Sequence, residues 1–237
     1  MRLQQPVRID TLLLATVTEV PAWHPEHDRF EAFPVHAFLI HHPGGAIVVD
    51  TGIGFDNSLI EEMYKPDSHR LVDALHANGV DERDVAMVVN SHLHFDHCGQ
   101  NHTVNAPIVV QQSELAAATA PHYTVPEWAV VPAHRALLLD GDAEIADGVR
   151  VIHTPGHTPG HQSVMIECGD ARVLIAAQCI FRGSAWGNEV EGAGVETANL
   201  HAPEWAAAAQ TSLERLRSMR PTSVLFSHDA PLAALAW

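Results

Sequence analysis

Short apolar runs bounded by glycine, proline, asparagine or aspartate recur along the chain, and this pattern predicts β-strands. A loose alternation over Val7–Val20 predicts a first strand, with Ile9–Val17 as its apolar part. His42-Pro-Gly-Gly45 separates Val35–His41 from Ala46–Val49 and predicts a hairpin. Further strands are predicted at Val85–Val89, Pro107–Val110, Ala136–Leu139, Ala143–Ile145, Val149–His153, Ser163–Glu167, Arg172–Ala177 and Ser223–Phe226.

Helical spacing of apolar residues predicts three helices. Pro66 interrupts Asn57–Asn78, so the first helix is expected from about Asp67 to Ala77, ending at Asn78-Gly79. The second starts at Ser113–Ala120 with Glu114 in its first turn, where a negative charge suits the helix dipole. The third and clearest covers Ala202–Ser218, with one face formed by Trp205, Ala209, Ser212, Leu213 and Leu216.

Two segments carry several prolines and no regular period. Pro21–Pro34 is expected to form a loop or lid, and Ala120–Ala136 an irregular excursion over the surface or the mouth of a site. The order of strands and helices predicts an α/β (α+β) fold, an αββα sandwich of two mixed β-sheets flanked by helices. All 237 residues are expected to form a single domain, since no linker or repeat divides them.

Composition narrows the possible partners. The formal charge is −16, from 13 basic and 29 acidic residues, which argues against nucleic acid or an anionic membrane as the main partner. Three widely spaced cysteines without a CxxC pair suit a reducing compartment, and the first residues lack the regions of a signal peptide. Leu12–Ala15 is too short to span a bilayer. These features predict a cytoplasmic protein that acts on a small molecule.

The most informative stretch is Asn90–Asn101, which reads Asn-Ser-His-Leu-His-Phe-Asp-His-Cys-Gly-Gln-Asn. Imidazole nitrogen and carboxylate oxygen suit zinc and its first-row neighbours. His92 and His94 are two residues apart, so on an extended segment they point to the same side. Asp96 and His97 follow as the chain turns, and they can face a second ion. The cluster follows a predicted strand and is expected at that strand's carboxyl end.

Two further segments place histidines after strands. The double Pro-Gly turn Thr154–His161 is suited to holding one imidazole rigidly, so His157 is predicted as a ligand and His161 as its support or a structural residue. Ser227-His-Asp229 follows the last strand and offers His228. Asp50, in Asp50-Thr-Gly52, either orients a ligand histidine from behind or caps a turn.

Together these motifs resemble the metallo-β-lactamase superfamily, with the resemblance running from about Phe38 to Asp229. The amino-acid sequences of the Asp50-Thr-Gly52 and Gln162-Ser163 motifs are most similar to those of its N-acyl homoserine lactonase branch. The resemblance implies that His92, His94 and His157 hold a first metal ion. It also implies that Asp96, His97 and His228 hold a second. The implied cofactor is zinc, as one or two ions, or another divalent first-row metal.

Two residues depart from the family pattern. The family places a bridging Asp where this chain has Gln178, and a Tyr where it has Phe181, which cannot donate a hydrogen bond. The amide of Gln178 lacks the charge to bridge two cations well. Three outcomes are therefore open: a weak or absent second metal, two metals with Gln178 ligating one through its amide oxygen, or loss of hydrolysis.

The resemblance implies a metal-dependent hydrolase of a small ester or lactone, with N-acyl homoserine lactone as one option. In such enzymes a metal-bound hydroxide attacks the carbonyl, and Asp96 would pass a proton to the leaving alkoxide as the catalytic residue. The alternatives are a hydrolase of thioesters, aryl esters or phosphotriesters, and a catalytically silent metal-binding or ligand-sensing protein. Phe33, Phe181 and Trp186 are predicted to line the substrate pocket.

Overall fold

Two mixed β-sheets pack face to face in the computed structural model, which describes residues 7–21, 32–181, 183, 186 and 203–229. The first sheet has the order β4-β1-β2-β3-β5-β6-β7 and the second β12-β11-β10-β9-β8. The strands of the first are β1 Ile9–Val17, β2 Phe33–Ile40, β3 Ala46–Val49, β4 Asp67–Ser68, β5 Val85–Val89, β6 Ile108–Gln111 and β7 Ala136–Leu139. Those of the second are β8 Ala143–Ala146, β9 Val149–His153, β10 Gln162–Cys168, β11 Ala171–Ala177 and β12 Ser223–Phe226.

Five α-helices lie in the described part of the chain. They are α1 Ser58–Tyr64, α2 Leu71–Ala77, α3 Phe95–Cys98, α4 Gln112–Ala117 and α5 Pro203–Ser218. Two of them, α2 and α5, cover the outer faces of the two sheets. Leu71 and Leu75 of α2 pack on the outer side of the first sheet, and Leu213 and Leu216 of α5 pack on the outer side of the second. The apolar face predicted for the last helix is therefore confirmed at those two leucines.

The main core lies between the sheets. It is built from inward-facing β-branched and aromatic residues, such as Phe38 and Val49 from the first sheet and Val164 and Ile175 from the second. β3 is buried at every position and β5 at three of its five positions, which explains why both strands read as continuous apolar runs instead of alternating ones. The predicted αββα sandwich is confirmed.

The region before α2 differs from the prediction in two ways. Residues Ser58–Tyr64 form a helix that was not expected; Asn57 accepts a hydrogen bond from the Ile60 amide, and Lys65 ends it in a left-handed conformation before Pro66. The helix expected to start at Asp67 begins at Leu71 instead. Asp67 and Ser68 pair with Thr16 and Ala15 of β1, so a short sheet contact takes the place of the predicted first turn.

A buried amide joins the two sheets beside the predicted ligand cluster. The Gln162 backbone N–H donates to the Ser91 carbonyl at 2.8 Å, and its side-chain Nε2 donates to the Asn90 carbonyl at 2.7 Å. Its Oε1 accepts from Gln111 Nε2 at 2.9 Å. β10 is thereby held against the end of β5, which fixes the sheet edges that carry the site.

The two proline-rich segments have different outcomes. Residues 122–135 contain turns and no helix or strand, as predicted, whereas most of Pro21–Pro34, the expected lid, lies outside the described residues. Across the described part of the chain, none of the helices has the length and apolar character needed to cross a bilayer.

Candidate metal centre

The predicted ligand side chains come together at one edge of the sandwich, immediately after strand ends. β3, β5 and β6 run parallel to one another, so their carboxyl ends meet at this edge. His92 and His94 follow β5, α3 carries Asp96 and His97, the turn from β9 to β10 carries His157, and His228 follows β12. The side chains form two groups, His92–His94–His157 and Asp96–His97–His228.

In the His92–His94–His157 group, one ring nitrogen of each histidine lies close to those of the other two. His92 Nε2 lies 3.1 Å from His94 Nδ1 and 3.2 Å from His157 Nε2. The remaining pair, His157 Nε2 and His94 Nδ1, is 3.0 Å apart. Tetrahedral zinc with Zn–N bonds of about 2.0–2.1 Å holds its nitrogens about 3.3 Å apart. The three histidines therefore fit a metal of this size.

Burial keeps this group neutral. Desolvation and the neighbouring imidazoles lower the pKa of His92 and His157 well below the usual value. Burial lowers the pKa of His94 to about 4, although the Asp96 carboxylate opposes the shift. At neutral pH the group presents lone pairs, which is the form that binds a cation.

The second group is centred on the Asp96 carboxylate. Its Oδ2 lies 3.4 Å from His97 Nε2 and 3.5 Å from His228 Nε2. Burial alone would raise the pKa of Asp96, yet the His97 and His228 imidazoles hold it well below its usual range. His228 donates through Nδ1 to the Pro34 carbonyl at 2.9 Å, which leaves Nε2 facing the site. That buried nitrogen has no hydrogen-bond partner among the described residues, as a metal ligand would require.

Asp50 orients the ligand loop from behind. It is fully buried after β3 and accepts hydrogen bonds from the Ser91 amide at 2.7 Å, the Ser91 hydroxyl at 2.7 Å and His97 Nδ1 at 2.8 Å. Burial lowers the pKa of His97, but the Asp96 and Asp50 carboxylates outweigh it and raise that pKa to about 10. Since Nδ1 of His97 is engaged by Asp50, its Nε2 is directed to the site.

Gln178 lies beside the second group. Its side-chain Oε1 is 3.1 Å from His97 Nε2, and its backbone N–H donates to His161 Nε2 at 3.1 Å. His161 Nδ1 bonds Thr154 Oγ1 at 2.8 Å, so this histidine links the double Pro-Gly turn to the end of β11. Burial lowers the pKa of His161 to about 3. Both of its ring nitrogens are engaged in hydrogen bonds, and His161 belongs to neither of the two ligand groups.

Comparison with known proteins agrees with this geometry. Residues 31–228 match the family model described as the metallo-beta-lactamase superfamily. The chain belongs to this superfamily. An N-acyl homoserine lactonase of Bacillus sp is 32% identical over 210 residues, covering 83% of this chain and 81% of that protein.

Solved structures give the same result. A quorum-quenching N-acyl homoserine lactone lactonase is similar with a TM-score of 0.74 and 28% identity over 97% of this chain and 93% of the other. An N-acyl homoserine lactone hydrolase with N-hexanoyl-L-homoserine at its catalytic metal centre is 26% identical, with a TM-score of 0.74 over 97% of this chain and 94% of the other. The predicted family and its lactonase branch are confirmed, and the chain is a metal-dependent hydrolase of a small ester or lactone.

The predicted pocket residues fall in different places. Phe181 stacks on the His228 ring, with centroids 4.6 Å apart, and Phe33 meets the rings of both. These two phenylalanines form an apolar wall beside the Asp96–His97–His228 group. Trp186 instead packs with the α5 cluster around Leu213, and the Arg217 guanidinium lies over its ring at 5.9 Å. The structure therefore places Trp186 under α5 and not at the ligands.

From the sequence, Glu114 is predicted only to interact favourably with the helix dipole from the first turn of its helix. The structure buries its side chain completely behind the His92–His94–His157 group, with Tyr123 hydrogen-bonded to it. A first-turn acid is normally solvated, so its position in the sequence predicts no such contact. The one available signal was its position three residues after a buried strand, β6, at the same sheet edge as the ligands.

Proposed function

We propose that the protein hydrolyses N-acyl homoserine lactones, with zinc held by His92, His94 and His157. The observation that carries the proposal is the convergence of these three ring nitrogens within 3.0–3.2 Å, with the Asp96 carboxylate close enough to act electrostatically on His94 and His157. The substrate class is supported by the relatives, which are N-acyl homoserine lactonases. Zinc is supported by the all-imidazole donor set and its spacing.

Bound zinc supplies Lewis acidity and lowers the pKa of a water molecule towards neutrality. Residues of the chain provide proton transfer, positioning of the ligands and exclusion of water. Asp96 is ionised at neutral pH, so its carboxylate can accept a proton from the attacking water and deliver it to the alkoxide released by ring opening. Asp50 holds His97 in place through Nδ1. Phe33 and Phe181 exclude water beside His228.

An aryl ester hydrolase is the second candidate. It is favoured by the phenyl ring of Phe181, which stacks on His228 at the position where the lactonase pattern has a tyrosine hydroxyl. A hydroxyl donor at this position would assist the carbonyl or leaving group of a lactone, whereas an aryl ester has a leaving group of low pKa that needs less assistance.

The test is a substrate panel measured with zinc-loaded protein. Ring opening of N-hexanoyl homoserine lactone, hydrolysis of 4-nitrophenyl acetate and hydrolysis of a phosphotriester are compared for wild type, His92→Ala and His102→Ala. His102 is an exposed histidine outside the ligand groups and provides the matched control. We expect lactone turnover that His92→Ala reduces by about two orders of magnitude or more and His102→Ala retains, since His92 is a direct ligand. Faster turnover of the aryl ester selects the second candidate, and no turnover with any first-row metal contradicts both.

A further inference from the structure

Glu114 stands at the start of α4, with its carboxylate fully buried. Four donors converge on it. Oε1 accepts from the Leu93 backbone N–H at 2.8 Å and from the Tyr123 hydroxyl. Oε2 accepts from the Thr158 hydroxyl at 2.7 Å and from the Gly160 backbone N–H at 3.1 Å. Both carboxylate oxygens of Glu114 are thus fully occupied by hydrogen bonds from three separate chain segments.

Two of these segments carry the first ligand group. Leu93 lies between His92 and His94, and Thr158 follows His157 directly. One oxygen of Glu114 therefore fixes the loop after β5, and the other fixes the turn between β9 and β10. Since the two loops come from different sheets, their separation sets the spacing of the three ring nitrogens.

Two further contacts tighten the arrangement. A Cβ atom at Gly160 would overlap the backbone of Glu114, so the double Pro-Gly turn lies directly on the start of α4. The Tyr123 ring lies against the His94 ring, with centroids 4.8 Å apart. Glu114 thus holds Tyr123 as well, and Tyr123 limits the rotation of His94.

We propose that Glu114 is a positioning residue for the three-histidine site, which joins the two ligand loops so that His157 meets His92 and His94 at metal-binding distance. The inference rests on the proposed assignment of these histidines as metal ligands. Glu114 acts through the backbone of the loops and touches neither metal nor substrate.

An amide cannot replace the carboxylate here. In Glu114→Gln one oxygen becomes an NH2 group, which only donates. If it faces Leu93 and Tyr123, the hydroxyl can turn to accept but the Leu93 N–H loses its acceptor. If it faces Thr158 and Gly160, the Gly160 N–H loses its acceptor in the same way. In either orientation one of the two ligand loops is released.

The experiment measures metal affinity by chelator competition, together with the visible d–d spectrum of the Co²⁺-loaded protein, which reports ligand geometry independently of activity. The variants are Glu114→Gln, Tyr123→Phe and a control, Asp10→Asn. Asp10 is a buried carboxylate bonded to Arg8 at 2.8 Å and His41 at 2.7 Å, so its loss costs stability without touching the ligand loops. Urea unfolding of the metal-free proteins measures that cost separately.

We expect Glu114→Gln to weaken metal binding roughly tenfold or more and to change the Co²⁺ spectrum, within the range found for groups that orient metal ligands. Tyr123→Phe leaves both backbone bonds in place and should have a smaller effect. Asp10→Asn should lower stability and leave affinity and spectrum unchanged. Wild-type affinity and spectrum in Glu114→Gln would overturn the inference alone, whereas a wild-type protein that binds no metal would overturn the proposed function as well.

If Glu114→Gln does not fold, Thr158→Val decides the question. It keeps the size of the side chain and removes one donor from the His157 side. A severalfold weaker affinity with a shifted Co²⁺ spectrum supports the positioning role, and an unchanged affinity and spectrum contradict it.

Discussion

Gln178 places a neutral amide beside His97. This is where the Asp96–His97–His228 group meets the His92–His94–His157 group. Across the two groups, Asp96 is the single carboxylate. Two divalent cations a few ångströms apart would face strong mutual repulsion with only this one negative charge between them. The amide oxygen of Gln178 can contact one cation, yet it adds no charge. The residues therefore favour one tightly held ion at the three-histidine site and a weaker second ion.

Metal counting tests this asymmetry. After dialysis against a weak chelator, we expect wild-type protein to retain fewer than two ions per chain, and Gln178→Asp to raise the occupancy of the second site because it restores a negative charge. Elemental analysis of the dialysed samples measures both. Gln112→Asp, an exposed position on α4, is the matched control and should leave the count unchanged. Two ions of nanomolar affinity in the wild-type protein would show that the charge argument is wrong.

At the scale of the element, close backbone packing fixes the loop that contains α3. Gly99 follows Cys98 and its N–H donates to the Gly52 carbonyl at 2.9 Å. A Cβ atom at Gly99 would overlap the Gly54 backbone nitrogen. The helix that carries Asp96 and His97 is thus pressed directly onto the segment after Asp50, which keeps His97 within reach of that carboxylate.

Gly99→Ala is therefore expected to lower the free energy of unfolding by about 1–3 kcal/mol, as overpacked sites commonly do. Its φ of −60° suits alanine, so the cost comes from overlap and not from backbone strain. Urea unfolding measures the loss. Gly44→Ala is a useful control, because a Cβ there meets only the side chain of His42 on an exposed turn. Equal stability of the two variants would contradict the close packing inferred at Gly99.

Elements with a strong local pattern were predicted well, and those decided by distant contacts were not. β5 and α5 follow from their apolar spacing alone. The start of α2 was placed at Asp67 because Pro66 interrupts the apolar pattern just before it. Pairing of Asp67 and Ser68 with β1, more than fifty residues upstream, overrides the pattern. The helix Ser58–Tyr64 was not predicted; it is only seven residues long, and it depends on the cap at Asn57 and on the left-handed Lys65 that ends it before Pro66.

At the scale of the whole molecule, the sandwich explains which parts of the site the sequence could reveal. The six predicted ligands are polar residues that follow strand ends, where side chains are expected to be either solvated or functional. Their number and their order in the sequence indicated a metal site. Glu114 has an ordinary sequence context, so its contact with both ligand loops appears only when the two sheets are packed together. Trp186 was assigned to the pocket on its aromatic character, which suits the packing under α5 equally well.

The negative charge of the whole molecule affects how the reaction product interacts with the protein. Opening a neutral lactone creates a carboxylate, and a protein with a formal charge of −16 provides an unfavourable field for an anionic product. A small neutral substrate and an anionic product are therefore consistent with the electrostatics of the whole chain.

The most direct test of the account is a zinc titration of chelator-treated protein in which bound zinc and opening of N-hexanoyl homoserine lactone are measured on the same samples. We predict no ring opening before zinc is added, activity that rises with bound zinc, and neither tight binding nor activity in His157→Ala. Full ring opening by metal-free protein, or wild-type protein that binds zinc at the three histidines and opens no lactone, would contradict the account.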